Sequence, residues 1–374
     1  MKYRTMGKLG IQASVFGLGC MRFNGPASGD CIFDEEKAIS LIRRAIDGGV
    51  TYVDTAYVYK TSEIALGKAL RDGYRERVAV ATKVPPFAVH DRAEMEALLE
   101  EELKNLQTDH VDFYLMHGIN KEKWEYFKSI GAPEFFDDMK RAGKIRYKAF
   151  SFHGLYSEFE YVINDWDWDM VQIQYNFMDV DNQAGTKVLK LAASKGISVV
   201  IMEGLLGGNL AKAPENVQAI YDTYPVKRTP VEWAFRWLCN HPEVSVVLSG
   251  CNEPEQIDDN LRIFDAAEPG VMSDGELRLI DDVRAAYLSR TRIGCTGCRY
   301  CMPCPNGVNI PGVFSLWNNV SLYNVDPRKD WGMRMMKESN SGPDQCVECG
   351  ACEAACPQHL NIIEQLKLAW SELN

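Results

Sequence analysis

The sequence contains no apolar run long enough to cross a bilayer and no excess of positive charge. No stretch approaches the roughly 18 consecutive apolar residues that a membrane-spanning helix needs. Lysine and arginine together number 41 against 52 aspartates and glutamates, which leaves a net charge of −11. Nucleic acid binding requires a basic face for the phosphates, so we expect neither nucleic acid nor a membrane as a partner. Residues 1–4 lead into polar sequence without the apolar core of a secretory signal, which predicts a cytoplasmic protein.

Also missing is a G-x-G-x-x-G motif after an early strand, which disfavours a doubly wound nucleotide-binding sheet. Residues 1–270 instead alternate short β-rich runs with amphipathic stretches such as Glu35–Asp47. Eight strands with crossover helices over about 250 residues are typical of a parallel (β/α)8 barrel, the TIM barrel of the α/β class. The opening segment, Tyr3–Val15, predicts a hairpin that covers the barrel floor. The predicted strands are Phe16–Cys20, Tyr52–Ala56, Val78–Val84, Asp112–His117, Tyr147–Phe152, Met170–Tyr175, Ser198–Met202 and Val244–Ser249.

Twelve cysteines are present, and eight of them form two tight runs near the C-terminus. In each run, three cysteines at C-x2-C-x2-C spacing are followed by a fourth that precedes a proline, the pattern of bacterial ferredoxins with 4Fe-4S clusters. A zinc site needs four ligands rather than two such blocks, and a disulfide framework is typical of small secreted domains. The sequence therefore predicts two 4Fe-4S clusters. The runs are Cys295, Cys298, Cys301 and Cys304, and Cys346, Cys349, Cys352 and Cys356.

The fourth cysteine of each run is expected to ligate the cluster of the other run, as in two-cluster ferredoxins. By that rule Cys356 completes the cluster of the first run and Cys304 completes the cluster of the second. The first run is shorter, because two residues rather than three separate Cys301 from Cys304. We expect the remaining, scattered cysteines to be buried small apolar residues. They are Cys20, Cys31, Cys239 and Cys251.

The spacing of the two runs predicts a second, small domain after the barrel. Forty-one residues, 305–345, separate the runs and include a helical pattern at Pro311–Leu322. A compact ferredoxin with a β-hairpin has little room for that insertion, so a mainly helical ferredoxin-like iron–sulfur domain fits better. A further helix is expected over Asp274–Leu288, after a Pro-Gly break. We therefore place the barrel domain at residues 1–288 and the iron–sulfur domain at residues 289–374.

Four polar residues stand at or just after neighbouring strand ends, where barrel active sites are built. A buried lysine beside a tyrosine favours the phenolate, so we expect a lowered tyrosine pKa and a lysine kept charged by the aspartate. The tyrosine could then donate a proton to a carbonyl oxygen that the histidine orients. Each residue also has a structural interpretation, and Asp54 with Lys83 could be an ion pair that fixes the barrel. This strand-end tetrad is Asp54, Tyr59, Lys83 and His117.

These features resemble the aldo-keto reductases, specifically the group fused to a C-terminal iron–sulfur module. The resemblance covers the barrel and extends through both cysteine runs. It implies that the strand-end tetrad is catalytic, with hydride passing between a nicotinamide ring and a carbonyl carbon while Tyr59 handles the proton. The matching residues include Tyr3-Arg4, Gly7, Gly10, Phe16–Met21, Asp54–Ala56, Tyr59, Ser62-Glu63 and Leu66–Leu70.

The resemblance also implies a nicotinamide pocket, which this chain retains in part. Ser151 matches the serine that holds the carboxamide, although Phe152 stands where the family has an asparagine. Gln172 matches the amide-binding glutamine of the sixth strand. Met202 replaces the aromatic residue on which the nicotinamide stacks, or is simply a core residue of its strand.

After the eighth strand, the family grips the adenosine 2′-phosphate with basic residues. The corresponding positions are Gly250 and Gln256, and neither is charged, whereas Asn260 still matches the adenine-contacting end of the motif. Because a 2′-phosphate favours arginine or lysine, we expect weaker NADPH binding than in typical members, or a preference for NADH.

The leading hypothesis is an oxidoreductase that interconverts a carbonyl and an alcohol and is coupled to electron transfer through two 4Fe-4S clusters. NAD(H) or NADP(H) is the expected cofactor, with a small-molecule carbonyl substrate. Hydride moves two electrons and a cluster moves one, so a flavin is a further candidate cofactor and a ferredoxin or other one-electron carrier a candidate partner.

Two other interpretations stay open. The chain could be an electron-transfer or redox-sensing subunit whose barrel is a non-catalytic binding module, or the clusters could be structural. The sequence does not identify the substrate. The candidate substrate loop, Asn120–Ile130, offers Trp124, Tyr126 and Phe127 either as apolar walls or as helix-packing residues.

Overall fold

The computed structural model describes residues 1–23, 34–181, 183 and 185–374. Within these residues no helix combines the length and the apolar composition that crossing a membrane requires. The strands are β1 Tyr3–Thr5, β2 Gln12–Ser14, β3 Phe16–Gly19, β4 Tyr52–Asp54, β5 Ala79–Val84, β6 Val111–Ile119, β7 Ile145–Phe152, β8 Met170–Gln174, β9 Ser198–Met202 and β10 Val246–Ser249. The helices are α1 Glu35–Asp47, α2 Ser62–Ala69, α3 Arg92–Leu106, α4 Lys121–Ser129, α5 Ala132–Arg141, α6 Tyr156–Asp165, α7 Gly185–Ser194, α8 Glu215–Tyr221, α9 Pro230–Cys239, α10 Pro254–Asp265, α11 Asp274–Leu288, α12 Ile310–Tyr323, α13 Trp331–Glu338, α14 Ala351–Ala354 and α15 Ile362–Leu373.

The first of two compact units consists of Met1–Gly207 and Val231–Asp274, and its centre is a closed barrel of parallel strands in the order β10-β3-β4-β5-β6-β7-β8-β9. The barrel closes where β10 pairs with β3, with Val247 opposite Phe16. Most strand residues are buried, as parallel strands covered by helices require. The predicted (β/α)8 barrel is confirmed, and each predicted strand is present with its ends shifted by at most two residues.

The barrel helices begin where the sequence supplies a cap. The Asp34 carboxylate accepts the backbone N–H of Lys37 at 2.9 Å at the start of α1. Asp91 caps α3 in the same way through the N–H of Glu94, so α3 begins at Arg92. The apolar stripe of α1 faces the core and consists of Ala38, Leu41, Ile42, Ala45 and Ile46.

The predicted floor hairpin is also present. Strands β1 and β2 pair antiparallel, with Tyr3 opposite Ser14, and Met6 between them is fully buried. Gly7 has φ +49°, and a Cβ there would lie 2.3 Å from the carbonyl oxygen of Gly196, just before β9. The hairpin therefore covers the N-terminal ends of the strands, which leaves the C-terminal ends for a site.

A buried pair of carboxyl groups lies between α2, α3 and the barrel wall. The Thr82 hydroxyl lies 2.7 Å from Glu63 Oε1 and 3.2 Å from Glu102 Oε1, and the Tyr114 hydroxyl donates to Glu102 Oε2 at 2.7 Å. Burial raises the pKa of both carboxyl groups, and the neighbouring Glu63 raises the pKa of Glu102 further. The pair therefore favours at least one protonated member.

The second unit consists of Gly208–Pro230 and Gly275–Asn374, and helices account for its regular structure. Phe314 and Trp317 of α12 pack in one apolar core with Leu366 of α15, and the Trp317 indole N–H donates to Glu372 at 2.8 Å. Six of the eight cysteines of the two runs pack against this core. The predicted helical iron–sulfur domain is confirmed as a fold, while the exact boundary at residue 288 stays a prediction.

The scattered cysteines lie in the core where they are described. Cys20, Cys239 and Cys251 are each at most 1% exposed, in agreement with the expectation of small apolar residues. Burial raises the pKa of all three thiols, which keeps them protonated and unreactive. Cys31 lies outside the described residues.

Candidate active site and cluster ligands

The centre of the candidate active site is an ion pair buried at the C-terminal ends of β4 and β5. The Lys83 ammonium lies 2.5 Å from Asp54 Oδ1 and donates to the carbonyl oxygen of Thr55 at 2.6 Å. Only 1% of Lys83 and 3% of Asp54 is exposed. Burial acts to lower the pKa of Lys83, but Asp54 and Tyr59 together outweigh it, and the pKa is raised. Lys83 is therefore a fixed buried cation.

Tyr59 follows β4 in a short 3-10 turn and lies beside this cation. Lys83 Nζ is 5.1 Å from the centroid of the Tyr59 ring. Burial raises the pKa of Tyr59, and this effect exceeds the lowering by Lys83, so the net shift is upward. The expected lowering of the tyrosine pKa is wrong in its net direction, because desolvation of the phenolate is the larger effect.

His117 lies at an irregularity of β6. The pairing of β6 with β7 shifts register between Met116 and Ile119, and Gly118 has φ +60°. Bulges of this kind re-aim a side chain near a strand end. The Gly118 N–H donates to the Ser151 hydroxyl at 2.7 Å, which holds the irregular segment against β7. The geometry brings the His117 ring edge-on to the tyrosine of the tetrad.

The His117 ring is neutral over the ordinary pH range. Burial lowers its pKa to about 3, and the neighbouring Lys83, His153 and Lys123 contribute in the same direction. Its ring centroid is 6.2 Å from that of Tyr59, and the two planes are perpendicular. The buried Nδ1 atom has no hydrogen-bond partner among the described residues. The structure thus brings all four residues of the strand-end tetrad together.

Two of the predicted nicotinamide residues lie next to the tetrad. Gln172 of β8 stands in register with Ser151 of β7. Burial raises the pKa of Asp54, and Lys83 and the Gln172 side chain oppose that shift. Gln172 Oε1 is buried without a hydrogen-bond partner among the described residues. An unpaired acceptor at this position fits the NH2 group of a carboxamide. Met202 ends β9 and is partly buried against the interior cluster of the barrel.

The predicted residues of the adenosine end have contacts within the fold. Asn260 is buried and its amide donates to Ser249 Oγ at 3.0 Å. Gln256 Oε1 accepts the backbone N–H of Asn252 at 2.9 Å and so supports the start of α10. Gly250 is exposed at the end of β10. The described contacts of Gln256 and Asn260 are therefore structural ones.

Glu203 is a residue of the site that the sequence reasoning did not identify. It directly follows β9, has φ +58°, and adds to the effects that raise the pKa of Tyr59 after burial and Asp54. The strand-end rule, applied to the seventh barrel strand, would have found it. The backbone carbonyl of Thr55, which accepts a hydrogen bond from Lys83, could not be predicted from the sequence, because every residue has a backbone carbonyl group.

The candidate substrate loop is instead helix α4. Trp124 and Phe127 are fully buried on its inner side, and the Tyr126 hydroxyl donates to the carbonyl oxygen of Val89 at 2.7 Å. These aromatic residues pack the helix rather than form the walls of a substrate pocket.

Two cavities in the second unit are lined by cysteines from both runs. Among the described residues no three His, Cys, Asp or Glu side chains converge as ligands of a single metal ion; the thiols surround a volume instead. An all-thiol set of this kind fits a multi-iron cluster. Cys298 and Cys349, the second cysteine of each run, are exposed. One cavity is lined by Cys295, Cys298, Cys301 and Cys356, and the other by Cys301, Cys304, Cys346, Cys349 and Cys352.

Comparisons with known proteins agree with this arrangement. The aldo-keto reductase YhdN of Bacillus subtilis is 38% identical over 127 residues, which are 31% of this chain and 38% of that protein. The uncharacterized oxidoreductase YrpG of the same species is 26% identical over 329 residues, covering 76% of this chain and 96% of YrpG. The holo form of aldo-keto reductase AKR11C1 from Bacillus halodurans superposes with a TM-score of 0.63 at 25% identity, covering 76% of this chain and 96% of that one.

Two family sequence profiles match successive parts of the chain. The profile described as 4Fe-4S dicluster domain matches residues 294–361, which contain both cysteine runs. The profile described as Aldo/keto reductase family matches residues 15–283, well over half of the chain. The chain therefore belongs to the aldo/keto reductase family and carries a 4Fe-4S dicluster domain after its barrel.

Proposed function

We propose that this oxidoreductase interconverts a small-molecule carbonyl compound and an alcohol at the strand-end tetrad, and that two 4Fe-4S clusters connect it to a one-electron carrier. The observation that carries the proposal is the buried ammonium of Lys83, paired with Asp54 at 2.5 Å and lying 5.1 Å from the Tyr59 ring. A charged lysine is costly to bury, and here it faces a group that becomes an anion when it gives up a proton.

The proton of the reduction comes from Tyr59. A nicotinamide bound beside Gln172 and Ser151 would supply the hydride, which is the cofactor's own chemistry. Tyr59 keeps its proton at neutral pH because its pKa is raised, and it can donate that proton as the carbonyl oxygen gains negative charge. Lys83 then stabilises the phenolate that remains, while Asp54 holds Lys83 in place.

His117 has an orienting role in this proposal. Since its pKa is about 3, the ring is neutral and carries one N–H, which can donate to the carbonyl oxygen. A neutral donor polarises the oxygen without competing with Tyr59 as the acid. The perpendicular arrangement of the two rings is consistent with both addressing one oxygen.

The cysteine-lined cavities supply the second half of the proposal. We assign one cluster to each cavity, so that each run contributes three ligands to its own cluster and one to the other. The ligand sets are Cys295, Cys298, Cys301 with Cys356, and Cys346, Cys349, Cys352 with Cys304.

The number of electrons that each group transfers limits how the barrel site and the clusters can be coupled. Hydride carries two electrons, whereas a 4Fe-4S cluster passes one at a time. A group that handles both, such as a flavin, is therefore part of the proposal wherever the clusters take part in turnover. The external partner would be a ferredoxin or another one-electron carrier.

The test uses the full chain, purified without oxygen and with its iron in place. NADH or NADPH is added, with and without added FMN or FAD as the two-electron to one-electron converter, and the visible absorbance of the clusters is followed; then a panel of aldehydes and ketones is added. We expect bleaching by the nucleotide and recovery of absorbance with a carbonyl substrate. Tyr59→Phe should bleach as the wild type does but recover about 10²- to 10⁴-fold more slowly, because only the proton donor is missing.

Bleaching by dithionite but by neither nucleotide, even with flavin added, would contradict the coupling of barrel and clusters. That result would favour an electron-transfer or redox-sensing protein whose barrel is a binding module. Recovery at the same rate in Tyr59→Phe would contradict the role of the tyrosine.

A further inference from the structure

Arg22 extends across the mouth of the barrel beside β10, the strand that pairs with β3 and closes the barrel. It follows β3, and its Nη2 atom donates to the carbonyl oxygen of Gly207 at 2.9 Å. Gly207 lies in the turn after β9, and β10 lies between β9 and β3 in the barrel. The Arg22 side chain therefore spans the ends of three adjacent strands.

Gly250, at the end of the middle strand of these three, provides the space for this side chain. A Cβ on Gly250 would lie 3.1 Å from Arg22 Cγ, which is tighter than ordinary van der Waals contact. The φ of Gly250 is not in the left-handed region, so its backbone conformation does not require glycine. The absence of a side chain at position 250 thus leaves room for an arginine from another loop.

This arginine lies between the two ends of the proposed dinucleotide site. Gln172 of β8 is at the nicotinamide end and Asn260 of α10 at the adenosine end, with the ends of β9 and β10 between them. In any nicotinamide dinucleotide the diphosphate joins the two nucleosides and carries two negative charges. The residues predicted for the adenosine end are neutral, and Lys83 is already bound to Asp54.

The geometry points to Arg22 as the residue that binds the diphosphate of the nicotinamide cofactor, an assignment that rests on the proposed function. A guanidinium group has five N–H donors in a planar fork, and the bond to Gly207 uses one of them. The fork matches phosphate oxygens in bidentate geometry, which a lysine does not reproduce. The bond to Gly207 holds the side chain in position before the cofactor binds.

The test is the affinity of the full, iron-loaded chain for NADH and for NADPH, measured separately by anaerobic titration. Arg22→Gln removes the charge, and we expect both dissociation constants to rise by the same factor, about 10- to 100-fold for a lost charge-assisted hydrogen bond. Arg22→Lys should recover part of the affinity. The thermal midpoint should stay at the wild-type value. Arg71→Gln is the matched control, since Arg71 is an exposed arginine after α2 that donates to Gln107 at the end of α3, and the change should leave both affinities unchanged.

Three results would overturn the assignment. A loss confined to NADPH would place Arg22 at the 2′-phosphate, since only NADPH carries that group. Unchanged affinity for both nucleotides would contradict any phosphate role. A lowered thermal midpoint with unchanged affinity would make Arg22 a purely structural tie to Gly207. If the wild-type chain binds neither nucleotide, the proposed function itself fails, and this is recognised before any variant is compared.

Discussion

Tyr59 and His117 have pKa values displaced in opposite directions, upward for Tyr59 and down to about 3 for His117. Burial is the largest cause of both shifts, because a desolvated site disfavours the phenolate of one and the imidazolium of the other. Both side chains are therefore neutral at the pH of a cell. The buried charges of the site belong to Asp54 and Lys83, which neutralise each other.

These shifts predict a flat pH profile for carbonyl reduction. The active form has Tyr59 protonated, which holds below its raised pKa, and His117 neutral, which holds above about 3. Activity should therefore change little between about pH 5 and pH 9, and fall only as the pH rises beyond the usual tyrosine value. The measurement is kcat/KM over that range. A change in kcat/KM near pH 6.5 that disappears in His117→Gln would contradict the lowered pKa, because it would show that the histidine titrates in its ordinary range.

At the scale of residues, the sequence predicted which side chains lie together but not the net direction of the Tyr59 pKa shift. Asp54, Lys83 and His117 were found because strand ends of a parallel barrel converge on one face. The direction of the Tyr59 shift was missed because it depends on how completely the ring is desolvated, which the loop after β4 does not reveal. Arg22 gave no signal either, since its position follows from the empty space over Gly250.

At the scale of elements, α2 and α3 are joined to the barrel wall through the buried carboxyl pair of Glu63 and Glu102. The folded-state pKa of Glu102 is raised, so the folded chain binds more protons than the unfolded chain at pH values above the unfolded pKa. Stability from this group is therefore full at low pH and is lost as the pH rises toward the folded pKa. The pair destabilises the helix packing at neutral pH relative to acid pH.

Glu102→Gln should therefore raise the thermal midpoint at pH 7.5. The amide keeps the shape and buries no charge: its oxygen accepts one of the hydroxyl groups of Thr82 and Tyr114, and its NH2 group donates to the oxygen of the other. We expect a gain of about 1–2 kcal/mol, or roughly 1–3 °C, that shrinks toward pH 5. Thermal unfolding at the two pH values measures it.

Glu101→Gln is the control for this variant, because Glu101 is exposed on the same helix. It should leave the midpoint nearly unchanged at both pH values. A midpoint for Glu102→Gln below that of the wild type at pH 7.5 would contradict the raised pKa, because it would mean that the carboxylate is the favoured buried form.

Element boundaries were predictable wherever a cap or a periodic pattern lies in the local sequence. Helix α1 was predicted with both ends correct because Asp34 caps it and its apolar stripe is regular. The segment Asn120–Ile130 was less well predicted, since it reads as a loop by position in the barrel although Trp124 and Phe127 pack it as helix α4. The burial of these side chains against the rest of the fold stabilises the helix, and the local sequence does not show that burial.

At the scale of the whole molecule, the cysteine-lined cavities predict which ligands belong together. The triple variant Cys295→Ala, Cys298→Ala, Cys356→Ala should lose one cluster and keep the other with its full ligand set, about four iron atoms per chain. A second triple variant, Cys295→Ala, Cys298→Ala, Cys304→Ala, should lose the same cluster and also remove one ligand from the other cluster. Iron content and the electron paramagnetic resonance spectrum after dithionite measure this.

The contrary outcome is equally defined. If the variant that lacks Cys304 kept the unaltered spectrum of one intact cluster, each run would hold its own cluster and the crossed assignment would be wrong.

Both the fold class and the cysteine chemistry were predictable at this scale, because eight strand signals and two cysteine runs each repeat the same indication several times. The division at residue 288 stays a prediction.

The crossed ligand assignment that we propose has a consequence for the 305–345 segment between the runs. Its two ends are each joined to both cavities, so with clusters in place the polypeptide is closed into a ring by iron–thiolate bonds as well as by peptide bonds. Closure of this kind restricts the chain in the way that a cross-link does. A protease cut within 305–345 would thus leave two fragments that stay together until the iron is extracted by acid or a chelator.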